Sequence, residues 1–257
     1  VLAIAVSGLI LSGCARASGT VAVAPSTMPE PRAAASSDEA PVLTAPSSSA
    51  RPTMTVGSAM LALEQTEHAA ISSCVMSGAT GAVATYRGAA EVPADALLAV
   101  TLPVIVARNE PGATALPVAQ DRADVDAQIH RLGGDDELDS GLAALDDHVT
   151  TTRTTTAQQA CSDITATLLD DVLDEPAKST YREALRTAAG RDAAGSFRAS
   201  VPDGWTTAGT VLMNGSSAGA VAVLSGVHWS TVIAVFVTGA ADPLDVIARA
   251  TRVALAA

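Results

Sequence analysis

The passage that most constrains this chain is PADALLAVTLPVIVAR, residues Pro93–Arg108, the longest apolar stretch after the N-terminal segment. It opens with a proline and a small residue, carries apolar residues at helical spacing and ends in an arginine. That pattern predicts a buried central helix. Pro103 falls inside it and predicts a kink or break there. The core around such a helix has to be built from aliphatic side chains: 48% of the 257 residues are apolar, yet only six are aromatic, two each of Phe, Tyr and Trp.

The N-terminus sets the compartment. Residues 1–13, VLAIAVSGLILSG, are apolar and uncharged, and Cys14 follows. The run is too short for a spanning helix and has the character of a secretory h-region. Leu11-Ser12-Gly13-Cys14 resembles the bacterial lipobox, so residues 1–13 are expected to be a lipoprotein signal peptide. Cys14 is then the lipidated, palmitate-bearing N-terminus on the outer face of the cell membrane. A basic n-region is missing, which fits a true start other than Val1. Residues 14–53 are rich in Ala, Pro, Ser and Thr, punctuated by Pro25, Pro29, Pro31, Pro41, Pro46 and Pro52, and are expected to be a disordered tether. A formal net charge of −12 argues against a nucleic-acid partner, whose phosphates need a basic patch. Two further cysteines, Cys74 and Cys161, are either a disulfide, which an oxidising compartment permits, or two buried small hydrophobes.

A domain is expected over residues 54–257. Val56–Glu67 reads as a helix, and Ile71–Met76 and Ala82–Tyr86 as two strands around a Gly turn. A helical middle, about residues 95–190, follows. Asp121–Leu132 is amphipathic and stops at Gly133-Gly134, and Asp135–Leu145 has an acidic first turn. Thr150–Thr156 reads as a β-branched linker, Ala157–Leu173 as a long helix and Pro176–Ala189 as another. Residues 190–204 read as a connecting loop. Thr206–Met213, Ala218–Leu224 and Thr231–Val237 then read as three strands, and Asp242–Leu255 as a closing helix. This order predicts an α+β fold in which both chain ends build one five-stranded antiparallel sheet. The first and last helices cover one face and the helical middle the other.

Several stretches resemble the class A serine β-lactamases and related penicillin-interacting enzymes. LALEQTEHAAISSCVMSGATGAVATYRG is similar to that family's opening helix and hairpin, and PADALLAVTLPVIVA to its nucleophile helix. Asp121–Leu138, ending in HRLGGDDEL, resembles the passage after its second motif, and FRASVPDGWTTAG the approach to its third. Together they cover nearly all of residues 54–257. The resemblance implies a β-lactamase-like fold and a cleft whose floor is the first turn of the central helix. With fourteen arginines against one lysine, Lys178, and a GC-rich, actinobacterial-like composition, the chain resembles a lipoprotein member of that superfamily.

The family's chemistry rests on S-x-x-K, S-D-N and K-T-G, in which a serine attacks a carbonyl and a lysine or glutamate takes its proton. Here the first window reads Ala96-Leu97-Leu98-Ala99. The second, counted back from Gly133-Gly134, reads Gln120-Asp121-Arg122, and the third, counted from Trp205, reads Thr210-Val211-Leu212. The nucleophile and both lysines are missing, and Lys178 lies in a polar helix away from either motif. Leu145-Asp146-Asp147-His148 leads directly into the threonine run, leaving no room for the loop with the family's deacylating glutamate. A pseudoenzyme with a vestigial cleft is therefore expected, with Arg122 beside Asp121 either paired internally or holding a carboxylate.

Other patterns point to bland roles. Gly215-Ser216-Ser217-Ala218-Gly219 spells G-x-S-x-G, but a nucleophile elbow needs a helix after the serine, and here a strand follows. Asp135, Asp136, Glu137 and Asp139 read as helix N-terminal acids rather than a calcium loop. Asp146, Asp147 and His148 read as a solvated helix end rather than a metal corner. His68, His130, His148 and His228 are dispersed, and Trp205 and Trp229 read as packing residues. No cofactor or metal is expected. The expected function is a non-catalytic binding or scaffold module in the cell envelope, with an envelope protein or a peptidoglycan-derived ligand as partner. The alternatives are a carrier of peptidoglycan fragments and a hydrolase of altered mechanism using Ser217, Asp95 or Asp121.

Overall fold

Strands whose successive side chains face opposite sides can feed two cores at once, and the computed structural model is built on that device. It describes residues 56–109, 117–169, 172–189, 192–227 and 230–256, all within the unit Ala50–Ala257. The lipobox, Cys14 and the tether lie outside the described residues, as do His228, Trp229 and most of the segment between Asn109 and Pro117.

In chain order the elements are α1 (Val56–Glu67), β1 (Ala70–Ser77), β2 (Val83–Tyr86), β3 (Glu91–Pro93), α2 (Asp95–Asn109), α3 (Arg122–Leu132), α4 (Asp135–Ala143), β4 (Thr154–Thr156) and α5 (Ala157–Leu168). After these come α6 (Glu175–Ala189), α7 (Asp192–Arg198), β5 (Thr206–Asn214), β6 (Ser217–Ser225), β7 (Ser230–Thr238) and α8 (Pro243–Leu255). The main sheet has the order β2-β1-β7-β6-β5 and is antiparallel throughout. It is built from both chain ends, as the element order predicts. On β7, Val232, Ala234 and Phe236 join a core with α2, α5 and α6, whereas Ile233, Val235 and Val237 join a second core with α1, α7 and α8.

The central helix is α2, buried without interruption from Asp95 to Ile105. It is not broken at Pro103. In the turn that the proline interrupts, the Tyr181 hydroxyl of α6 donates to the Val100 carbonyl, so a backbone acceptor there has a side-chain donor. The Tyr181 hydroxyl is fully buried, and that burial pushes its pKa well above the usual value.

Three expectations are corrected. The threonine run is not simply a linker: Thr154–Thr156 forms β4, paired antiparallel with β3 as a small second sheet, with Thr155 buried and its hydroxyl 2.7 Å from that of Thr150. A run of identical residues hides the period-2 alternation that would mark a strand. The segment after Ala189 contains α7, whose Phe197 enters the second core. The fourth and fifth helices end earlier than predicted, at Ala143 and Leu168. The expected stops do hold at α3, which is N-capped by Asp121 and C-capped by Gly133 at φ 122°.

Cys74 of β1 and Cys161 of α5 are joined by a disulfide, with a Cα–Cα distance of 6.3 Å across 87 residues of chain. It fastens the sheet to the helical middle.

Candidate functional site

The first turn of α2 meets the start of α3 and the middle of β5, so all three windows of the resemblance converge. Among the described residues the side chains of the first and third windows are buried. Ala96 and Ala99 are 1% and 0% exposed, Thr210 and Leu212 6% and 3%. Leu212 packs in the core with α2, and Val211 points to the opposite core. Across the sheet, Gly219 of β6 pairs with Leu212. A Cβ on Gly219 would lie 2.9 Å from the Ala96 methyl and 2.8 Å from the Phe236 ring. Glycine there is what lets the strand approach the helix so closely.

Above this apolar floor sits an ionic latch. Asp95, the first residue of α2, is 6% exposed. Its Oδ1 accepts from Arg122 Nη1 at 2.6 Å and its Oδ2 from Asn214 Nδ2 at 3.3 Å. The same Arg122 Nη1 donates to the Thr152 carbonyl at 2.8 Å, and Nη2 lies 2.6 Å from Asp126, one turn along α3. Arg122 thus ties together α2, its own helix and the segment before β4, while Asn214 adds the end of β5. Partial burial works against the charged guanidinium, but its hydrogen bonds to Asp95 and Asp126 outweigh that and hold its pKa above the usual value.

Of the two alternatives for Arg122, the internal pair is the one observed, with Asp95 and Asp126 as its partners. Asp121 is exposed and spends its carboxylate on the Asp124 amide of the α3 cap. Gln120 is also exposed, and its amide donates to Asp124. Outside the latch, Arg122, Asp126, His130, Asp135 and Arg153 border an open hollow of about 290 Å³ with charges of both signs.

Lys178 lies in α6, as expected away from the three windows, with its side chain buried. It is 2% exposed, and its Nζ donates to Glu175 Oε1 at 2.8 Å. The helix end at Asp146–His148 is not uniformly solvated. His148 and Asp146 are exposed and 3.6 Å apart, but Asp147 is 2% exposed. Its Oδ1 accepts from the amides of Val149 and Thr150. Its carboxyl interacts with that of Asp163 on α5, itself buried, and neither Oδ2 has a hydrogen-bond partner among the described residues. A single proton between the two carboxyls would satisfy both atoms. Burial first, then Asp147, push the Asp163 pKa up to about 8, against a smaller opposing bond from Gln159.

Ser217 opens β6 directly after a turn at Gly215 and Ser216, so no helix follows it. Asp135, Asp136 and Glu137 occupy the first turn of α4 and Asp139 the next, all exposed. Among the described residues no group of three or more His, Cys, Asp or Glu is placed to hold a metal ion. Sequence reasoning missed Asn214 as a partner of Asp95 and missed the Asp147–Asp163 pair. Separations of 119 and 16 residues leave no local signal of either.

No protein-family model matches the sequence, and no curated protein does. Solved structures match over nearly their whole length. An ancestral class A β-lactamase superposes with a TM-score of 0.68 at 19% identity, covering 79% of this chain and 99% of that one. The class A β-lactamase from Mycobacterium abscessus gives 0.67 at 20% identity, covering 79% and 98%. A β-lactamase from Streptosporangium roseum gives 0.66 at 18%, covering 78% and 97%. The five-stranded sheet of both chain ends, the buried central helix and the helical middle are therefore a fold like that of the class A β-lactamases.

Proposed function

We propose that this protein is a non-catalytic module of the cell envelope, anchored through Cys14 to the outer face of the membrane, in which the β-lactamase-like domain serves as a binding scaffold. The observation that carries this reading is the closed floor at Ala96 and Ala99. Acyl transfer needs a nucleophile within reach of a base and a cavity for the carbonyl. Here the two positions are buried methyls, that of Ala96 close against Gly219, and the Asp95–Arg122–Asn214 latch joins the ends of the elements beside them. A groove filled in this way favours recognition on the outer surface over a carrier role in the old cleft.

Labelling with a fluorescent penicillin tests the reading. The full chain is expected to show no covalent label. A label that survives denaturation would overturn the proposal and favour a hydrolase of altered mechanism. Saturable non-covalent binding of muropeptides, abolished by Arg122→Ala, would instead favour a carrier using the old cleft. The anchor is tested separately: Cys14→Ala is expected to release the protein from the membrane fraction.

A further inference from the structure

A second polar hollow shares no residue with the latch. It lies between α6, the C-terminal end of α5 and the ends of β5, β6 and β7, and encloses about 160 Å³. Arg182 and Arg186 form one wall; four apart on α6, they stand on the same helical face. The hydroxyl residues Thr206, Ser225 and Ser230 stand at the strand ends. The floor is apolar, with Leu169 and Val223.

The internal partners leave much of this donor set unused. Arg182 gives one Nη2 hydrogen to the Leu168 carbonyl, from a guanidinium with five donors. Arg186 meets Glu183 at 3.4 Å, in a pair whose side chains are 52% and 69% exposed, a geometry worth little in water. Two arginines thus border one hollow in a chain of net charge −12, with the exposed carboxylates of Glu183 beside Arg186 and Glu175 near Arg182. Planar guanidinium forks and hydroxyls are the groups that recognise oxyanions.

We propose that this hollow is an oxyanion subsite, which takes the carboxylate or phosphate group of a compact ligand and rests the ligand's apolar part on Val223 and Leu169. Its volume is about that of five waters in the liquid, which limits the occupant to a small molecule or the tip of a larger one. The site stands independently of whether the old cleft is closed.

Titration of the full chain with butyrate and with inorganic phosphate, each in chloride-matched buffer and followed by calorimetry, tests it. Saturable binding of at least one is expected, weakened about tenfold by Arg186→Gln through loss of a charge-assisted contact. Arg182→Lys, which keeps the charge but loses the fork, is expected to weaken it less. Glu183→Gln is expected to tighten it, because it removes the carboxylate that competes for Arg186. Arg153→Gln, an exposed arginine elsewhere, is expected to change nothing. Butyrate alone identifies a carboxylate ligand and phosphate alone a phosphorylated one. Absence of saturation with both up to about 20 mM, or binding that Arg186→Gln leaves intact, or equal weakening by Arg153→Gln, would overturn the proposal.

Discussion

At position 96 the side chain is a methyl, 1% exposed, and any larger group has to fit beside Gly219 of β6. A serine returned there would bury its hydroxyl in an apolar contact. Ala96→Ser is therefore expected to fold, to lose about 1–3 kcal/mol of stability for a hydroxyl buried without a partner, and to remain unlabelled by penicillin. Ala96→Ser combined with Ala99→Lys puts an ammonium at a fully buried site and is expected to prevent folding. A folded, acylated double variant would show that the floor can open. The latch makes a second residue-scale prediction. Arg122→Ala leaves Asp95 buried and charged and is expected to cost about 2–4 kcal/mol, at the lower end because Arg122 is 26% exposed. Asp95→Asn with Arg122→Gln removes both charges and is expected to recover most of that loss in urea unfolding. Equal losses in the single and double variants would mean that the latch acts through packing. The sequence marks Asp95 only as an acid that a hydrolase of altered mechanism could use. Its neutralisation by Arg122 and Asn214 is not legible there, because those partners lie 27 and 119 residues away.

At the scale of elements, the Asp147–Asp163 pair pins the segment between α4 and α5 to α5. The folded pKa of Asp163 is raised, to about 8 from 3.8. The folded state therefore holds a proton that the unfolded chain has released, and stability falls as pH rises between those values. Its contribution is fully present below about pH 4 and lost above about pH 8, with a slope of at most about 1.4 kcal/mol per pH unit for one proton. Asp163→Asn supplies the amide donor that Asp147 needs at every pH, so it is expected to flatten the slope of melting temperature against pH from 4 to 8. An unchanged slope would place the proton elsewhere. The same segment shows why some elements were legible and others not. The glycine stop of α3 and the near-continuous apolar runs of β5 to β7 carry their signals locally. In β4 the residues are all threonine, so register alone, opposite Glu91–Pro93, makes them a strand.

For the whole molecule, the decisive contact is the one that crosses between the chain's two kinds of structure. The sheet is assembled from both ends of the chain, and the helical middle is an insertion held to it by the core around α2 and by Cys74–Cys161. A bond closing 87 residues removes more freedom from the unfolded chain than a short loop would. Cys74→Ala with Cys161→Ala is expected to lower stability by about 2–4 kcal/mol, seen as a fall in melting temperature that added reductant reproduces in the parent protein and does not deepen in the variant. Both sulfurs are fully buried in the apolar core shared by β1 and α5, where alanine leaves a small void, so part of the loss is packing and persists after reduction. The comparison of reduced parent with the alanine variant separates the two. If reductant leaves the parent's melting temperature unchanged, the link between sheet and helical middle is carried by the core alone. A bond of this kind persists in an oxidising compartment, so its presence in protein isolated from cells also bears on the proposed location outside the membrane.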